Sequence, residues 1–586
     1  MKNIPMVRRQ YKTQARPMVA YDLETTRIKK GTPKPVYLTA FGNDFRVSIR
    51  VESFKHLGEV LEQRFLWPQY SRMRFVAWNG NNFDAYLIAL ALLELDRYLL
   101  RPYLARNGKL RGLKVCSQDK HQGRAVWWEF LDGISMTGIE ASLEKFLKVF
   151  APEYPKLHNI NFDRESFNPR NPDHVKYAER DSEGLFYGMM NAEGIMLEKF
   201  GHHFKPTIGN LGIKLFQENM PPKVTVWPLR DKERAIVRDH VYRGGFCYLH
   251  KRYSGPVWKY DLNQAYAAAM RDAKLPCGAL RRVNRRGKHG EPEIWCVNAR
   301  NVKNTIPLYL RDEKMLGIFP VKEITDAWLT SIELDQLERE GWKIERLAGW
   351  RWSQSFTMSD FVGRLETLRI NAPGGVNGAL GLMCKYVGNN CYGKFLEQET
   401  DQEIVIAKDA PPGYYEYDPE QDFAGVLWAR KTEARARAYH HPQIAAFITA
   451  HVRMLVRAAA LRDPGAFIYA DTDCVVFSRA VKLPCDPVRY GKWKIEVAGD
   501  RYIFVGKKIY AAADGSLMKA KGLRRDAEKV GGGKITVADY SRWYAGQSPK
   551  VTQLQRKSFM AVVGKGGQMF DNIEKVGSIA IPAKRA

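Results

Sequence analysis

The stretch FIYADTDCVVF at residues 467–477 decides how the second half of the chain folds. Apolar residues flank the triplet Asp471-Thr472-Asp473, which predicts two strands joined by a tight turn. Two aspartates at the tip of a hairpin repel each other and need a compensating positive charge. The pattern therefore indicates a divalent-metal site. A solvated acidic turn is the alternative, because aspartate is common in turns.

Another aspartate stands at the end of a second apolar strand. Residues 257–262 have strand character and residues 264–273 have helical character, so Asp261 lies where a strand passes into a helix. Carboxylate oxygens are the ligands that Mg²⁺ and Mn²⁺ prefer. Asp261, Asp471 and Asp473 together therefore form a candidate metal site.

A cation, an amide and an aromatic ring share one face of a further predicted helix. Helical character runs from 360 to about 394, with an interruption at NAPGGVNG. Lys385, Asn389 and Tyr392 have the spacing i, i+4 and i+7, which places them on one helix face. This combination suits a nucleotide triphosphate. An ordinary amphipathic helix with one snorkelling lysine is the alternative.

Strands and helices alternate in the first part of the chain. Strands are predicted at 19–23 and 75–78, and a helix is predicted at 176–190. Such alternation is typical of an α/β domain, and we expect this domain to end near residue 190.

Three acidic patterns lie in this predicted domain. Asp22 and Glu24 point to the same face of the first strand, because side chains alternate along a strand. Asp84 follows a polar turn after the second strand, and Tyr177 and Asp181 share one helical face. Four carboxylates could hold two divalent ions, and a tyrosine could orient an attacking water, which favours phosphodiester hydrolysis. Each pattern alone is also common on protein surfaces.

The composition limits the class of protein. The chain has 586 residues, enough for several domains, and 92 Lys and Arg residues against 64 Asp and Glu residues. The net charge of +28 favours a polyanionic partner such as nucleic acid. The eight cysteines form no CxxC pair, which excludes a zinc ribbon and favours a reducing cytosol. The start is basic without an apolar leader, and the most apolar segment, 85–93, is too short to span a bilayer.

The motifs, taken in chain order, resemble those of the family B DNA polymerases. The three N-terminal patterns look like the family's 3′–5′ exonuclease motifs, at Asp22/Glu24, Asn79–Asp84 and Tyr177–Asp181. The later patterns look like polymerase motifs A, B and C, at Asp261, Lys385–Gly393 and Tyr469–Asp473. The resemblance covers nearly the whole chain. It implies a multidomain α/β and α+β fold, with an RNase H-like exonuclease domain and a right-hand polymerase of palm, fingers and thumb.

Other segments resemble the protein-primed subgroup, the replicases of small phages, tectiviruses and linear plasmids. Tyr242-Arg243-Gly244-Gly245 is similar to the subgroup's YxGG linker between the exonuclease and polymerase domains. Lys508-Ile509-Tyr510 is similar to its KxY motif, and Thr449 and Arg453 resemble a TxxxR element that holds template–primer. The long gap between motifs A and B indicates a folded insertion.

The resemblance implies seven segments, two of them terminal-protein-region insertions, and we expect a hinge at GGGK, 531–534. The segments are the exonuclease domain at 1–190, the linker and first part of the palm at 191–275, terminal-protein region 1 at 276–355, the fingers at 356–396, terminal-protein region 2 at 397–432, the palm at 433–525 and the thumb at 526–586.

The resemblance also implies residue roles, with two Mg²⁺ ions, or Mn²⁺, in each active site. The polymerase ligands are Asp261, Asp473 and a supporting Asp471, and the nucleotide-binding residues are Tyr266, Lys385, Asn389 and Tyr392. The exonuclease ligands are Asp22, Glu24, Asp84 and Asp181, with Tyr177 orienting the water. The implied DNA contacts are Thr25, Asn79, Phe83, Tyr242, Gly244, Gly245, Thr449, Arg453, Lys508 and Tyr510.

The implied activity is DNA-directed synthesis that replicates a linear double-stranded DNA genome. Its first primer is a hydroxyl of a terminal protein, and proofreading and strand displacement accompany it. The implied partners are template and primer DNA, dNTPs, the terminal protein and a single-strand DNA-binding protein. We expect a monomer in the cytoplasm of a bacterial host, without a membrane.

Several positions depart from the family pattern. Motif A continues with Gln264-Ala265-Tyr266-Ala267 instead of Ser-Leu-Tyr-Pro, and Asn390 and Cys474 replace serines of motifs B and C. The acidic residues are intact, so activity is expected. The family's Ser-Leu element corresponds to either Ser135-Met136 or Ser142-Leu143, and Lys156 is the candidate exonuclease lysine.

Three other functions stay open on the sequence. A family B polymerase that initiates de novo, without a primer, has the same motifs A to C. A nuclease with a decayed polymerase site is suggested by the altered flanks of motif A. A non-catalytic basic DNA-binding protein would bind without metal and without turnover.

Overall fold

The structure is a computed structural model that describes most of the chain. The described ranges are 16–105, 108–121, 124–157, 166–301, 305–312, 314, 316–397, 402–417, 426–431, 439–523, 534–547 and 550–576. The basic start at 1–15 and the three glycines of the expected hinge, 531–533, lie outside them. Within these ranges, no helix combines the length and apolar character needed to cross a bilayer.

The N-terminal unit is built on one mixed sheet. Its strands are β1 (Met18–Thr25), β2 (Pro35–Gly42), β3 (Phe45–Arg50), β4 (Arg74–Ala77), β5 (Tyr98–Leu104), β6 (Leu110–His121) and β7 (Arg124–Asp132). The order is β5-β6-β7-β4-β1-β2-β3, with β1, β4 and β7 parallel. The helices are α1 (Phe54–Arg64), α2 (Asp84–Leu93), α3 (Gly133–Thr137), α4 (Leu143–Phe150) and α5 (Pro172–Phe200). The strands predicted at 19–23 and 75–78 are confirmed.

Helix α5 is longer than expected. Asn171 caps its start with a side-chain hydrogen bond, and Pro172 occupies the first turn. The helix runs past residue 190 to Phe200 and stops at Gly201, whose φ of 71° is the left-handed backbone of a helix end. The domain boundary expected at 190 therefore falls inside a continuous helix.

The chain then enters a second sheet. The elements of this stretch are α6 (Ile208–Glu218), α7 (Asp231–Ile236), β8 (Phe246–Leu249), β9 (Tyr253–Leu262) and α8 (Ala265–Asp272). Strand β9 and helix α8 confirm the strand-to-helix transition predicted around Asp261.

Residues 275–356 form a layer of their own. Its elements are β10 (Leu275–Val283), β11 (Glu293–Arg300), β12 (Leu310–Arg311), β13 (Gly317–Ile318), β14 (Glu323–Thr330), α9 (Ser331–Arg339) and β15 (Lys343–Phe356). The four long strands form an antiparallel sheet in the order β10-β15-β11-β14. Leu334 and Leu337 of α9 are buried against Trp295 and Val297 of β11. The long gap between motifs A and B is thus folded structure.

The next stretch contributes to two parts of the molecule. Its elements are α10 (Ser359–Ile370), α11 (Ala379–Asn390), β16 (Gln402–Ala407), β17 (Tyr415–Glu416) and β18 (Val426–Lys431). The two helices pack together across the predicted interruption at 371–378. Strand β16 pairs with β5 through Ile406 and Leu100 and, with β17 and β18, enlarges the N-terminal sheet to ten strands among the described residues. No local pattern indicated this pairing.

The FIYADTDCVVF hairpin lies in the middle of the second sheet. The elements here are α12 (Pro442–Ala460), β19 (Phe467–Thr472), β20 (Cys474–Phe477), β21 (Trp493–Gly506), β22 (Ile509–Ala512) and β23 (Met518–Ala520). The strand order is β23-β22-β21-β9-β20-β19-β8. The predicted hairpin is confirmed, and it lies directly beside β9. Helix α12 confirms the helix predicted at 442–461.

The C-terminal segment returns to the N-terminal unit. Its elements are α13 (Val537–Tyr544), β24 (Lys550–Arg556) and β25 (Phe570–Val576). Phe559, Val562 and Val563, between the two strands, are buried in the apolar core that β1 and α2 also enter. Backbone hydrogen bonds of 2.9 Å run in both directions between Gly31 and Phe570.

Candidate active sites

Asp261, Asp471 and Asp473 lie on neighbouring strands of the second sheet. The Leu262 N–H donates to the Asp473 carbonyl oxygen (2.7 Å), and Asp261 pairs with Cys474 in the β9–β20 ladder. The Asp473 N–H donates to the Asp471 carbonyl oxygen (2.8 Å), so the turn is tight. The structure thus brings together the three carboxylates that the sequence placed far apart.

Burial and mutual repulsion perturb these three carboxylates. Burial raises the pKa of Asp473 to about 7, and the charges of Asp261 and Asp471 add to the shift. Burial also raises the pKa of Asp261, whereas Lys494, with its Nζ 3.1 Å from Asp261 Oδ2, opposes the rise. Lys508 Nζ lies 2.9 Å from Asp471 Oδ1. Two ammonium groups therefore balance the negative charge of the cluster.

Lys385 on α11 is oriented towards the same cluster. Burial lowers the pKa of Lys385 and the Arg369 guanidinium lowers it further, whereas Asp261 and Asp473 attract its charge. The charges of both aspartates therefore act on the Lys385 ammonium group.

Two of the three residues predicted to share one face of this helix lie on it. Lys385 and Asn389 lie one turn apart on α11, but the helix ends at Asn390, so Tyr392 lies beyond it. Tyr392 nevertheless stacks on Tyr266, with ring centroids 4.2 Å apart and an interplanar angle of 24°. The ring predicted for this helix face thus packs on an aromatic ring of α8.

The second carboxylate cluster lies where β1, α2 and α5 meet. The Leu23 N–H donates to Asp84 Oδ1 (3.2 Å), which ties the start of α2 to β1. Burial raises the pKa of Asp22 to about 6 and that of Glu24 to about 9, and repulsion from Asp181 adds to both. Burial also raises the pKa values of Asp84 and Asp181. The four carboxylates predicted for hydrolysis are therefore crowded together.

Lys156 lies beside this cluster, next to helix α5. Its ammonium group hydrogen-bonds to Asp181 and lies 4.6 Å from the centre of the Tyr177 ring. Tyr177 and Asp181 share one face of α5, as the spacing predicts. The structure thus brings the candidate exonuclease lysine into contact with the tyrosine and the aspartate of the third motif.

The three residues expected to hold a frayed strand surround the cluster. Thr25 ends β1, Asn79 is exposed in a turn with φ 66°, and Phe83 precedes α2. The Phe83 ring lies 6.4 Å from that of Phe570 in the C-terminal hairpin. Thr25 and Phe83 are half-buried, so all three side chains are at least partly accessible.

One carboxylate near this site was missed. Asp132 is buried at the end of β7 and accepts a hydrogen bond from the Asn79 N–H (3.1 Å). Ser135 donates to Asp132 (3.3 Å) and accepts from Asn81 Nδ2 (3.2 Å), whereas Ser142 caps α4. This geometry favours Ser135 for the serine element. The available signal was an acidic residue directly after the mostly apolar run at 125–131, which was not predicted as a strand.

The segment 242–245 packs against the aspartate hairpin. A side chain on Gly245 would come within 2.9 Å of Thr472, which itself has φ 64° at the hairpin tip. Tyr242 is half-buried, with the Arg311 guanidinium 5.8 Å from its ring centre. Only glycine allows the backbone at 245 to approach the turn so closely.

Three residues expected to contact DNA are buried instead. Thr449 and Arg453 are each 1% exposed, and Tyr510 is 7% exposed. Arg453 donates to the Gly244 carbonyl oxygen (3.2 Å), to Glu333 Oε1 (2.8 Å) and to Thr449 Oγ1 (3.1 Å). Direct contact of these side chains with template–primer stays a prediction. Through its hydrogen bond to Gly244, Arg453 anchors the 242–245 segment.

Glu333 and two arginines form a buried ionic triad. Its Oε1 accepts from both Arg243 (2.7 Å) and Arg453 (2.8 Å), and its Oε2 accepts from the Thr330 N–H (2.9 Å). Despite burial, the two guanidinium groups lower the pKa of Glu333 to about 2. Residues 275–356 are thus joined to α12 and to the 242–245 segment by charge as well as by packing.

We expect Glu333→Gln to lower the free energy of unfolding by roughly 3–5 kcal/mol at pH 7, because two buried arginines lose their counter-ion. Because the pKa of Glu333 is lowered, the stabilisation that its ionised carboxylate gives to the folded state is complete above pH 4.5. This stabilisation is lost as the pH falls towards 2. The difference between variant and wild type should therefore shrink below about pH 4. Denaturant titration at pH 7 and pH 3.5, monitored by tryptophan fluorescence, measures this difference in the free energy of unfolding.

Glu345→Gln is the matched control for this prediction. Glu345 is exposed on β15 of the same layer, so its replacement should change the unfolding free energy by no more than about 0.5 kcal/mol. Equal losses in the two variants, or a loss in Glu333→Gln that does not depend on pH, would contradict the ionic role of the triad.

Both carboxylate clusters have the donor chemistry of divalent-cation sites. All their candidate ligands are carboxylate oxygens, which hard cations prefer. Among the described residues, no three acidic, histidine or cysteine side chains converge closely enough to enclose one ion, and Lys156, Lys494 and Lys508 contact the carboxylates. A bound divalent cation would relieve the repulsion that raises the pKa values of Asp22, Glu24 and Asp473. The chemistry of these ligands, although not their present spacing, therefore suits a divalent cation.

Comparison with known sequences finds similarity to DNA polymerases over part of the chain. Residues 173–422 match the family model described as DNA polymerase type B, organellar and viral. A "Probable DNA polymerase" of Neurospora intermedia is 24% identical over 405 residues, which are 64% of this chain and 40% of that protein. The "DNA-directed DNA polymerase" of Enterobacteria phage PRD1 is 33% identical over 135 residues, 22% of this chain and 23% of the phage protein. The chain thus matches less than half the length of each relative.

Solved structures show the same fold. Phi29 DNA polymerase, complexed with primer-template DNA and incoming nucleotides, has a TM-score of 0.65 at 17% identity, covering 97% of this chain and 93% of that one. Its post-translocation binary complex with primer-template DNA has a TM-score of 0.68 at 17% identity, covering 96% and 100%. The expected architecture, an exonuclease domain with palm, fingers and thumb, is confirmed. The chain is thus similar to DNA polymerases of type B over residues 173–422, and it shares its fold with phi29 DNA polymerase.

Proposed function

We propose that this chain is a DNA-directed DNA polymerase with a separate 3′–5′ exonuclease site. The observation that carries the proposal is the pair of carboxylate clusters, one on the second sheet and one where β1, α2 and α5 meet. The cluster around Asp473 is faced by Lys385 and the stacked Tyr266 and Tyr392, whereas the cluster around Asp22 lies beside Lys156. The net charge of +28 supports a nucleic acid as the substrate.

In the polymerase site, the fingers and palm hold the incoming nucleotide between them. Lys385 binds its triphosphate and Asn389 lines the same face of α11. Tyr266 packs under the sugar, where a 2′-hydroxyl would clash, and Tyr392 flanks the nascent base pair. Asp261 and Asp473, with support from Asp471, would hold divalent ions, which would supply positive charge at the primer hydroxyl and the leaving pyrophosphate.

In the exonuclease site, a mismatched 3′ end is bound and hydrolysed. Thr25, Asn79 and Phe83 hold the frayed strand, and Phe83 stacks on a base. Asp22, Glu24, Asp84 and Asp181 hold the divalent ions, and Tyr177 orients the attacking water, with Lys156 fixing the position of Asp181. A second site of this kind increases accuracy beyond what base pairing alone allows.

We also propose that synthesis starts on a hydroxyl of a terminal protein and copies a linear double-stranded DNA genome. The support is the packing of the 242–245 segment on the aspartate hairpin and the folded layer at 275–356, which resemble subgroup features. Strands β16–β18 extend the edge of the N-terminal sheet, and we propose that they help to separate the displaced strand. The free cysteines support work in a reducing host cytoplasm, as a monomer aided by a single-strand DNA-binding protein.

Primer extension tests the activity. With a 5′-labelled primer–template, dNTPs and Mg²⁺, the purified chain should extend the primer to the template end, and without dNTPs it should shorten the primer from its 3′ end. Chelation with EDTA should stop both reactions, because both depend on divalent cations. Metal-independent DNA binding without any turnover would support the non-catalytic alternative and reject the proposal.

A second reaction tests the start of synthesis. Template and labelled dNTPs are incubated without a DNA primer, with and without the candidate terminal protein. Label attached covalently to the added protein supports protein priming. Free DNA products in the absence of that protein would support de novo initiation instead and would reject the terminal-protein proposal.

A further inference from the structure

Gln264 occupies an unusual position between two functional residues. It lies in the turn that joins Asp261 at the end of β9 to Tyr266 in the first turn of α8. Its backbone is left-handed (φ 47°, ψ 50°), a conformation that favours glycine and asparagine over glutamine. The family pattern has a serine at this point, so the longer side chain is a feature of this chain.

The Gln264 amide bridges the palm to both helices of the fingers. When its oxygen faces Arg369, both ends of the amide are satisfied. In this orientation Nε2 donates to Asn389 Oδ1 (3.1 Å) and to the Lys385 carbonyl oxygen (3.2 Å), both on α11. Its Oε1 accepts from Arg369 Nη1 (3.2 Å) on α10. A single side chain of motif A thus contacts both fingers helices.

We propose that Gln264 is a positioning residue that holds the fingers helices against motif A and thereby sets the affinity for the incoming nucleotide. This inference rests on the proposed polymerase function. Lys385 and Asn389, the residues proposed to bind the nucleotide, are the two points on α11 that Gln264 contacts. Using Asn389 Oδ1 as the acceptor also determines which way that amide points.

The length of the side chain is what makes this bridge possible. A serine hydroxyl at 264 would end close to the palm backbone and could not span the gap to α10 and α11 together. Asparagine keeps the amide group and suits the left-handed backbone, but it is one methylene shorter. Gln264→Asn therefore removes the bridge without adding backbone strain, which makes it the most informative variant.

Single-nucleotide incorporation by the full chain tests the proposal. We expect Gln264→Asn to raise the KM for the correct dNTP about tenfold, the effect of losing hydrogen bonds of ordinary strength. We expect kcat to change less than about threefold, because the acidic cluster is untouched. Gln264→Gly, which also tolerates the left-handed backbone, should raise KM at least as much. Degradation of single-stranded DNA should stay at the wild-type rate.

Gln443→Ser is the matched control. Gln443 is buried at the start of α12 and donates to the Trp227 carbonyl oxygen (3.2 Å), so its loss reports what removing a buried amide does to stability alone. We expect a lower thermal midpoint in this variant and an unchanged KM. A similar rise in KM for Gln443→Ser would show that the effect at Gln264 comes from general destabilisation, and it would overturn the inference.

The two levels of the proposal fail in different ways. If the wild type does not extend a primer, the polymerase function itself is rejected. If the wild type extends normally and Gln264→Asn has the wild-type KM, only the positioning role of Gln264 is rejected. If kcat falls and KM stays constant, Gln264 acts on the chemical step and the proposed role in nucleotide affinity is equally wrong.

Discussion

Asp473→Ala should reduce primer extension by roughly 10³-fold or more, which corresponds to about 4 kcal/mol of lost transition-state stabilisation. Asp473 is the carboxylate of the palm cluster on which burial and the charges of Asp261 and Asp471 converge. Its removal takes away a ligand for the cations that neutralise the reacting phosphates. Trimming of the same primer in the absence of dNTPs should continue at the wild-type rate, because the cluster proposed for hydrolysis lies on β1, α2 and α5, away from the sheet that carries Asp473.

The measurement is gel-resolved extension of a labelled primer over time at fixed Mg²⁺. Asp514→Ala is a suitable control, because Asp514 also lies in a hairpin turn of the palm sheet and accepts from the Ser516 N–H (2.9 Å), away from the cluster. It should extend the primer like the wild type. Wild-type extension by Asp473→Ala would mean that the palm cluster does not carry synthesis, and the polymerase assignment would be lost.

Asp22→Ala should have the opposite effect. Degradation of a single-stranded or mismatched 3′ end should fall by roughly 10³-fold, while extension of a matched primer should remain within about twofold of the wild type. Asp22 lies at the centre of its cluster, where it repels both Glu24 and Asp84. Because a mispaired end is no longer removed, the variant should also leave more mismatches in its products.

Asp173→Ala provides the comparison for this variant. Asp173 is exposed in the first turn of α5, the helix that also carries Asp181. Its loss should leave degradation unchanged. If Asp22→Ala or Asp473→Ala removed both activities, the two clusters would not be independent sites, and the separation on which the proposed function depends would have to be abandoned.

The secondary structure around the sites was accessible from sequence. The hairpin at 467–477, the strand ending at Asp261 and the long helix at 442–460 all follow from side-chain periodicity. These signals act within a few residues, through alternation in strands and the 3.6-residue repeat in helices. The acidic motifs were also recognisable, because closely spaced carboxylates repel each other and indicate a compensating positive charge.

Other features depend on partners that are distant in the chain. Arg453 was expected at DNA because it resembles part of a TxxxR element, and its burial beside Glu333 was not foreseen because Glu333 lies 120 positions away in the chain. The pairing of β16 with β5 and the contact of Lys494 with Asp261 are of the same kind. Neither follows from the residues that surround it in sequence.

By itself, the sequence determined which segments form strands and helices and which acidic groups are candidates for chemistry, because these properties depend on nearest neighbours along the chain. The tertiary structure alone decided which charges are buried, which lysines balance the carboxylates and how Gln264 reaches from the palm to the fingers. The physical reason is that solvent exposure and electrostatic pairing depend on distance in space. Folding brings together residues that are far apart along the chain, and their spacing in the sequence does not predict that distance.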